Sequence, residues 1–304
     1  MRIVAIGGGH GLSATLAAAR ELDAHVTAVV SMADDGGSSG RLRAEFNVLP
    51  PGDLRMALLA LAEPEQARLA RLLSHRFDGN GALGGHSLGN LALTALWQQG
   101  VDVVSSLREL GSLLHIAGEV LPVTTVPHAL CADIEQVDGT VQQIIGQARI
   151  ASGAGRIVGL RTVPDTVPAC MEALTAIERA DLVILGPGSW FTSVLAPLCV
   201  AGVAHAIVHS GSAVVLVANL QSESGEAAGY EISDYIESLT SVHPRLAVDA
   251  VIAAVDAAVP PGPVLQFEYI DGASGQVHVP ENLARSLRVA ADSLREGQRG
   301  PVWS

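Results

Sequence analysis

Three glycine-rich segments in this chain each follow directly on an apolar run of strand length. No other feature limits the fold as strongly. Residues 2–6 run into Gly7-Gly8-Gly9-His10-Gly11, residues 25–30 into a polar loop at 31–40, and residues 181–185 into Gly186-Pro187-Gly188-Ser189. The runs are apolar on both faces, which indicates strands of a parallel sheet covered on both sides. A helical pattern over residues 12–22 joins the first two runs, giving a βαβ unit of about 30 residues. The expected class is α/β: a Rossmann-like, mostly parallel sheet with helices on both faces. In open sheets of this kind ligands bind beyond the carboxyl ends of the strands. The three loops are therefore expected to converge on one crevice.

Each loop has its own chemistry. Gly9-x-Gly11-x-x-Ala14 fits the relaxed dinucleotide pattern. Gly8, Gly9, His10 and Gly11 would bring backbone N–H groups and a helix N-terminus to a phosphate. Asp34-Asp35-Gly36-Gly37-Ser38-Ser39-Gly40-Arg41 pairs two carboxylates with hydroxyls and flexible backbone, which suits Mg²⁺ at Asp34 and Asp35 or hydrogen bonds to a ribose. Gly186, Pro187, Gly188 and Ser189, then Thr192 and Ser193, offer backbone donors and hydroxyls. Asn219 ends a further buried strand at 213–218. Arg41, Arg43 and Arg55 either neutralise phosphates or are solvated. Asp53 reads as a ligand contact or a helix N-cap. His86 and Asn90, at i and i+4, either face the crevice or cap a helix. The sequence shows no nucleophile elbow, no Ser-His-Asp set and no zinc spacing.

Elsewhere the pattern predicts helices over 54–61, 66–75, 88–98, 170–179, 232–239 and 283–294. Strands are predicted over 120–125, 129–137 and 141–145, with Asp138-Gly139 as a hairpin turn. Residues 1–304 are expected to form one nucleotide-binding domain carrying a small antiparallel insertion at about 118–165.

Composition narrows the function classes. Of 304 residues, 49% are hydrophobic and 16% charged, as in a globular chain. Aromatics are only 3%, so the core must be built from Ala, Val, Leu and Ile. A formal net charge of −13 without a basic run argues against nucleic acid. The three cysteines are far apart and read as reduced core residues. The first apolar run is too short for a signal peptide, and none reaches the roughly 20 residues of a membrane span, so a cytoplasmic protein without membrane insertion is expected.

Taken together, the segments are identified with a known family. Gly7-Gly8-Gly9-His10-Gly11-Leu12-Ser13, Ala33-Asp34-Asp35-Gly36-Gly37-Ser38-Ser39-Gly40-Arg41-Leu42-Arg43 and Pro50-Pro51-Gly52-Asp53-Leu54-Arg55 come first. Gly85-His86-Ser87-Leu88-Gly89-Asn90-Leu91, Ala180-Asp181-Leu182, Gly186-Pro187-Gly188-Ser189-Trp190-Phe191-Thr192-Ser193 and Asn219-Leu220 with Gly225-Glu226 follow in order. This set resembles the gluconeogenesis-factor, YvcK-like family of the 2-phospho-L-lactate transferase (CofD-like) superfamily. The chain departs from that pattern at Gln147, Ala227 and Tyr235, and matches it poorly after about residue 255.

The resemblance implies a Rossmann-like fold and a nucleotide-containing ligand. Its regulatory branch implies a UDP-sugar, protein partners and links to cell envelope, cell shape and gluconeogenic carbon metabolism. Its transferase branch implies Mg²⁺ and a guanylylated phospholactyl donor. By similarity, Asp34 and Asp35 would lie at phosphates or metal. The motifs resemble the regulatory branch, so a UDP-sugar-binding regulator is expected, with no certain cofactor and Mg²⁺ as the one candidate. A Mg²⁺-dependent transferase is the alternative, and an NAD-dependent oxidoreductase is a third reading. Homo-oligomers are common among such folds, but no interface signal is visible.

Overall fold

The computed structural model describes residues 1–220, 225–254, 265–269 and 278–295. The elements, in chain order, begin with β1 (Arg2–Gly7), α1 (Gly9–Ala19), β2 (His25–Val30), α2 (Gly37–Phe46) and α3 (Pro51–Ala60). Next come α4 (Ala67–Ser74), α5 (Leu88–Gln98), α6 (Val103–Leu113), β3 (Gly118–Pro122), β4 (Ala129–Glu135), β5 (Val141–Ile145), α7 (Gln147–Ala151) and β6 (Arg156–Val163). The rest are α8 (Met171–Glu178), β7 (Leu182–Leu185), α9 (Ala196–Leu198), α10 (Val203–Ser210), β8 (Ala213–Val217), α11 (Ile232–Val242), β9 (Ala250–Ala254), β10 (Leu265–Tyr269) and α12 (Pro280–Arg295).

Seven strands form one sheet in the order β10-β9-β8-β7-β1-β2-β3, and every pairing in it is parallel. β7 and β8 are buried along their whole length, and β1 and β2 everywhere but their first residue. That is why their sequences lack the alternation of a half-exposed strand. From β1 the chain winds through β2 to β3. It then returns to β7 on the other side of β1 and winds outward through β8 to β10. Right-handed crossovers in opposite directions place helices on opposite faces. One group packs α1 against α3 and α12, and another packs α8 against α10. The direction of winding reverses between β1 and β7. Beyond the carboxyl ends of these two strands lies the topological switch point where ligands of such sheets bind.

A second sheet of three antiparallel strands, β5-β4-β6, is inserted between β3 and α8. Its β4–β5 hairpin turns at Asp138-Gly139, as expected: Gly139 has φ +80° and Asp138 Oδ1 accepts from Thr140 N at 3.0 Å. The segment at 118–122, grouped with this insertion by sequence pattern, instead pairs with β2 as the edge of the parallel sheet. Further differences from the sequence pattern concern helices, among them α2, α6, α7 and α10. The loop expected over 31–40 ends early, because α2 begins at Gly37. Gly40 permits this, since a Cβ there would collide with the Asp35 carbonyl. The helix α6, unassigned by sequence, is capped by Asp102, whose Oδ1 accepts from Ser105 N at 2.9 Å.

Candidate functional site at the topological switch point

The first and third glycine loops touch. A Cβ on Gly11 would run into the Pro187 carbonyl, and Gly188 lies against Gly8 O and Gly11 Cα. Only glycine at position 11 lets the start of α1 lie this close to the turn after β7. Thr15, fully buried on the next turn of α1, donates its hydroxyl to Gly186 O at 2.8 Å and fixes that approach. Gly188 is held from the other side. Its N–H donates to Asn219 Oδ1 and its carbonyl accepts from Asn219 Nδ2, both at 3.0 Å. Asn219, just past the end of β8, therefore shapes the third loop through backbone contacts.

At the first loop, Gly8 is the N-cap of α1 and brings no capping side chain, and Gly9 has φ +59°. His10 is exposed on the first turn. The Gly9 N–H faces Asp53, from the first turn of α3, and pulls its pKa down. A Cβ on Gly8 would lie 2.6 Å from Asp53 Oδ2, so this glycine admits the carboxyl. Desolvation first, then the charge of Asp34, push the Asp53 pKa up to about 7, against the pull of the Gly9 N–H and Arg55. Asp34 is thus close enough for its charge to act on Asp53 at the amino end of α1. Asp53 is not an N-cap, because that place in α3 belongs to Pro50.

The second loop divides its two aspartates. Asp34 folds back locally, Oδ1 accepting from Gly36 N at 3.0 Å, while its Oδ2 lies beside Gly52. Asp35 turns away. Its two oxygens accept from Gln147 N at 3.0 Å and Ala148 N at 2.8 Å, at the start of α7 in the insertion. Asp34 acts on Asp53 through its charge, and Asp35 ties the loop to the small sheet. Gly36 is the N-cap of α2 and Gly37 has φ +46°. Arg43 secures the same loop by donating to Asp34 O at 2.8 Å and to His128 O at 2.7 Å.

Behind the second loop lies a buried polar chain. Arg55 Nε donates to Asn90 Oδ1 at 3.0 Å, Asn90 Nδ2 donates to Ser38 Oγ at 3.0 Å, and Ser38 Oγ meets His86 Nδ1 at 2.9 Å. All four residues are buried. Ser39, from the same turn, accepts from Gly52 N at 3.1 Å. Burial, then Arg41 and Arg76, hold the His86 pKa down against the opposing charge of Glu45. Arg41 is exposed and donates to Gly84 O at 2.8 Å, and Arg76 donates to Gly85 O. Ser87, not His86, caps α5.

Two residues of the third segment lie elsewhere. Ser189 is exposed, and its carbonyl accepts from Ser193 N at 2.9 Å. Thr192 is buried and donates its hydroxyl to Glu226 Oε1 at 3.1 Å. The same oxygen accepts from Phe191 N and Thr192 N, each at 3.1 Å. Burial raises the pKa of Glu226, and its Oε2 has no partner among the described residues. His278, near the start of α12, reaches Ala218 O with Nε2 at 2.9 Å and so joins the carboxyl end of β8. The sequence motifs pick out neither Thr15 nor the role of Ser39 for the site. A hydroxyl on the apolar face of α1 is the one local signal that marks Thr15. A cavity of about 670 Å³ lies between β6, the 191–202 segment, α10 and α11, away from the contact of the first and third glycine loops. Among the described residues no group of three or more His, Cys, Asp or Glu is placed to hold a metal, and no helix is long and apolar enough to cross a membrane.

Known proteins resemble this chain. A family model described as 2-phospho-L-lactate transferase CofD matches residues 3–291. A protein of Mycobacterium tuberculosis named putative gluconeogenesis factor is 48% identical over 255 residues, covering 82% of this chain and 75% of its own length. The gluconeogenesis factor of Halalkalibacterium halodurans is 38% identical over 237 residues, covering 78% of this chain and 72% of its own. A crystal structure of a Bacillus halodurans protein, described as a member of the UPF0052 family, superposes with a TM-score of 0.84 at 30% identity, covering 94% of this chain and 98% of that one.

Proposed function

This chain belongs to the 2-phospho-L-lactate transferase CofD family, and from that membership and the crevice geometry we propose that it binds a nucleotide sugar of the UDP-sugar type as a ligand-sensing regulator. Its protein partners would lie in cell-envelope and gluconeogenic carbon metabolism, in the cytoplasm. The observation that carries the proposal is the contact of Gly11 with Pro187 and Gly188 at the switch point. It sets the amino end of α1, which no side chain of its N-cap covers, beside the turn after β7, where a diphosphate would meet backbone N–H groups.

The polar side chains around this crevice mostly hold the protein's own backbone or one another. Asp35 is committed to α7, Asn219 to Gly188, Thr192 to Glu226, and Ser38, Asn90 and Arg55 to their shared chain. Such commitment preorganises a binding site and favours recognition over turnover.

One observation favours the transferase reading. Mg²⁺ prefers carboxylate oxygens together with substrate phosphates, and Asp34 with Asp53 fits that donor set. Asp35 fits less well, since both its oxygens accept backbone N–H groups. A cation held there would offset the repulsion between two carboxylates and the charge on a transferring group.

Calorimetry with UDP-N-acetylglucosamine, UDP-glucose, GDP and NAD, each with and without Mg²⁺, tests the proposal. Selective UDP-sugar binding, with the ligand recovered unchanged after long incubation, is the expected result. Tight Mg²⁺-dependent GDP binding would replace it with the transferase reading. Binding of none of the four would overturn the assignment of the crevice.

A further inference from the structure

We propose that His86 is a neutral hydrogen-bond donor whose Nε2–H takes an anionic oxygen of the crevice ligand, in a tautomer set by Arg55 through Asn90 and Ser38. The proposal rests on the crevice being the ligand site. The tautomer itself follows from donor logic alone. A guanidinium can only donate, so the atom of Asn90 facing Arg55 Nε is its oxygen. The amide nitrogen then faces Ser38 and donates to Oγ. Ser38 has its own proton left, and among the described residues no other acceptor meets that hydroxyl. A buried hydroxyl proton without an acceptor is unfavourable. The proton therefore goes to His86 Nδ1, at 2.9 Å. Nδ1 is the acceptor, and the ring proton sits on Nε2.

No protein acceptor among the described residues meets Nε2, and the atom is not sealed in the interior with the orphaned polar atoms. Asn90 Nδ2 lies 3.9 Å, and Asp34 Oδ2 3.4 Å, from where a Cβ on Gly52 would be, so the Asn90 end of the chain lies near Asp34 of the second loop. The charged groups facing His86 are Arg41 and Glu45 from α2 and Arg76 after α4. Two arginines against one glutamate favour an anionic partner and disfavour an imidazolium. In a chain of net charge −13 this is a local basic corner. A phosphate oxygen is the chemistry it suits.

Long-range proton–nitrogen spectra of the free protein read the tautomer directly. The expected pattern is Nε2–H with bare Nδ1, unchanged between pH 7 and 8. An Nδ1–H pattern or an imidazolium at pH 7 overturns the assignment. Asn90→Asp makes a sharper test. The new carboxylate would still accept from Arg55 but would also take the Ser38 proton. Ser38 would then accept from His86, and the tautomer should switch to Nδ1–H. A purely structural role for Asn90 predicts no switch. For the ligand contact, UDP-N-acetylglucosamine and GDP are the probes. His86→Gln places an amide donor near the Nε2 position and should keep affinity within roughly threefold, whereas His86→Asn places it near Nδ1 and should lose roughly tenfold or more. Equal losses in both variants, with the Nε2–H spectrum intact, overturn the donor role. If the wild type binds neither probe, the crevice reading and this ligand contact fall together, while the spectrum still decides the tautomer.

Discussion

The substitution Asp53→Asn should remove a pH-dependent penalty on folding. The folded-state pKa of Asp53 is pushed from its ordinary 3.8 to about 7, by burial and by Asp34. The unfolded chain therefore releases this proton before the folded one does. Stability that is fully present below the ordinary value is lost as pH rises toward 7, and the loss is complete above it. At 1.36 kcal/mol per pH unit the full span corresponds to about 4 kcal/mol. Water reaching the carboxyl and relaxation of its surroundings bring the expected figure to roughly 2–4 kcal/mol. The introduced asparagine keeps an oxygen that faces the Gly9 N–H, so that local polar contact is not removed. Urea unfolding followed by circular dichroism at pH 5, 6, 7 and 8, on both proteins, gives the difference with the titrating groups not coupled to Asp53 cancelled. The variant should gain on the wild type steadily from pH 5 to pH 7 and hold a constant advantage above pH 8. A difference that does not change with pH would refute the account, since it would mean that Asp53 ionises in the folded state as easily as in the unfolded chain. Mg²⁺ at millimolar concentration should shrink the wild-type penalty if a cation binds between Asp34 and Asp53.

Three other outcomes follow from the same geometry. Gly11→Ala forces a methyl into the Pro187 carbonyl; it should destabilise by about 1–3 kcal/mol in thermal unfolding and weaken UDP-sugar binding in calorimetry. Asp35→Ala and Asp34→Ala should separate, with Asp35→Ala lowering stability by roughly 1–3 kcal/mol through two orphaned N–H groups of α7 and Asp34→Ala mainly reducing ligand affinity; a larger affinity loss for Asp35→Ala would return that residue to the site. Glu226→Ala leaves Phe191 N and Thr192 N without their acceptor and should cost about 2–4 kcal/mol in urea unfolding, while Glu226→Gln, which keeps one accepting oxygen and removes a buried charge, should be close to neutral at pH 8.

Much of the fold is legible in the chain. Residues 2–6, 25–30, 181–185 and 213–218 are apolar without alternation, and they are the strands buried at the centre of the parallel sheet. Glycine clusters after these runs mark the turns at the strand ends, and Asp138-Gly139 marks a hairpin. These are local signals, because burial and backbone freedom act on residues a few positions apart. The edge strand β3 lies beyond their reach. A short apolar segment ending in proline says little about which strand it pairs with, and here the partner is β2 rather than the insertion.

The partners of the polar side chains are a different matter. Adjacent along the chain, Asp34 and Asp35 look like one ligand pair, yet the path of the insertion brings α7 beneath Asp35 and leaves Asp34 to act on Asp53 by its charge. His86 and Asn90 look like neighbours on one helix turn, but Ser38, from another helix, joins them. Where strands end, and where glycine admits a close approach, can be read from single residues, since both depend on each residue's own volume, polarity and backbone range. Which carboxylate meets which N–H depends on directions set by long crossovers between distant strands, and only the folded chain contains them.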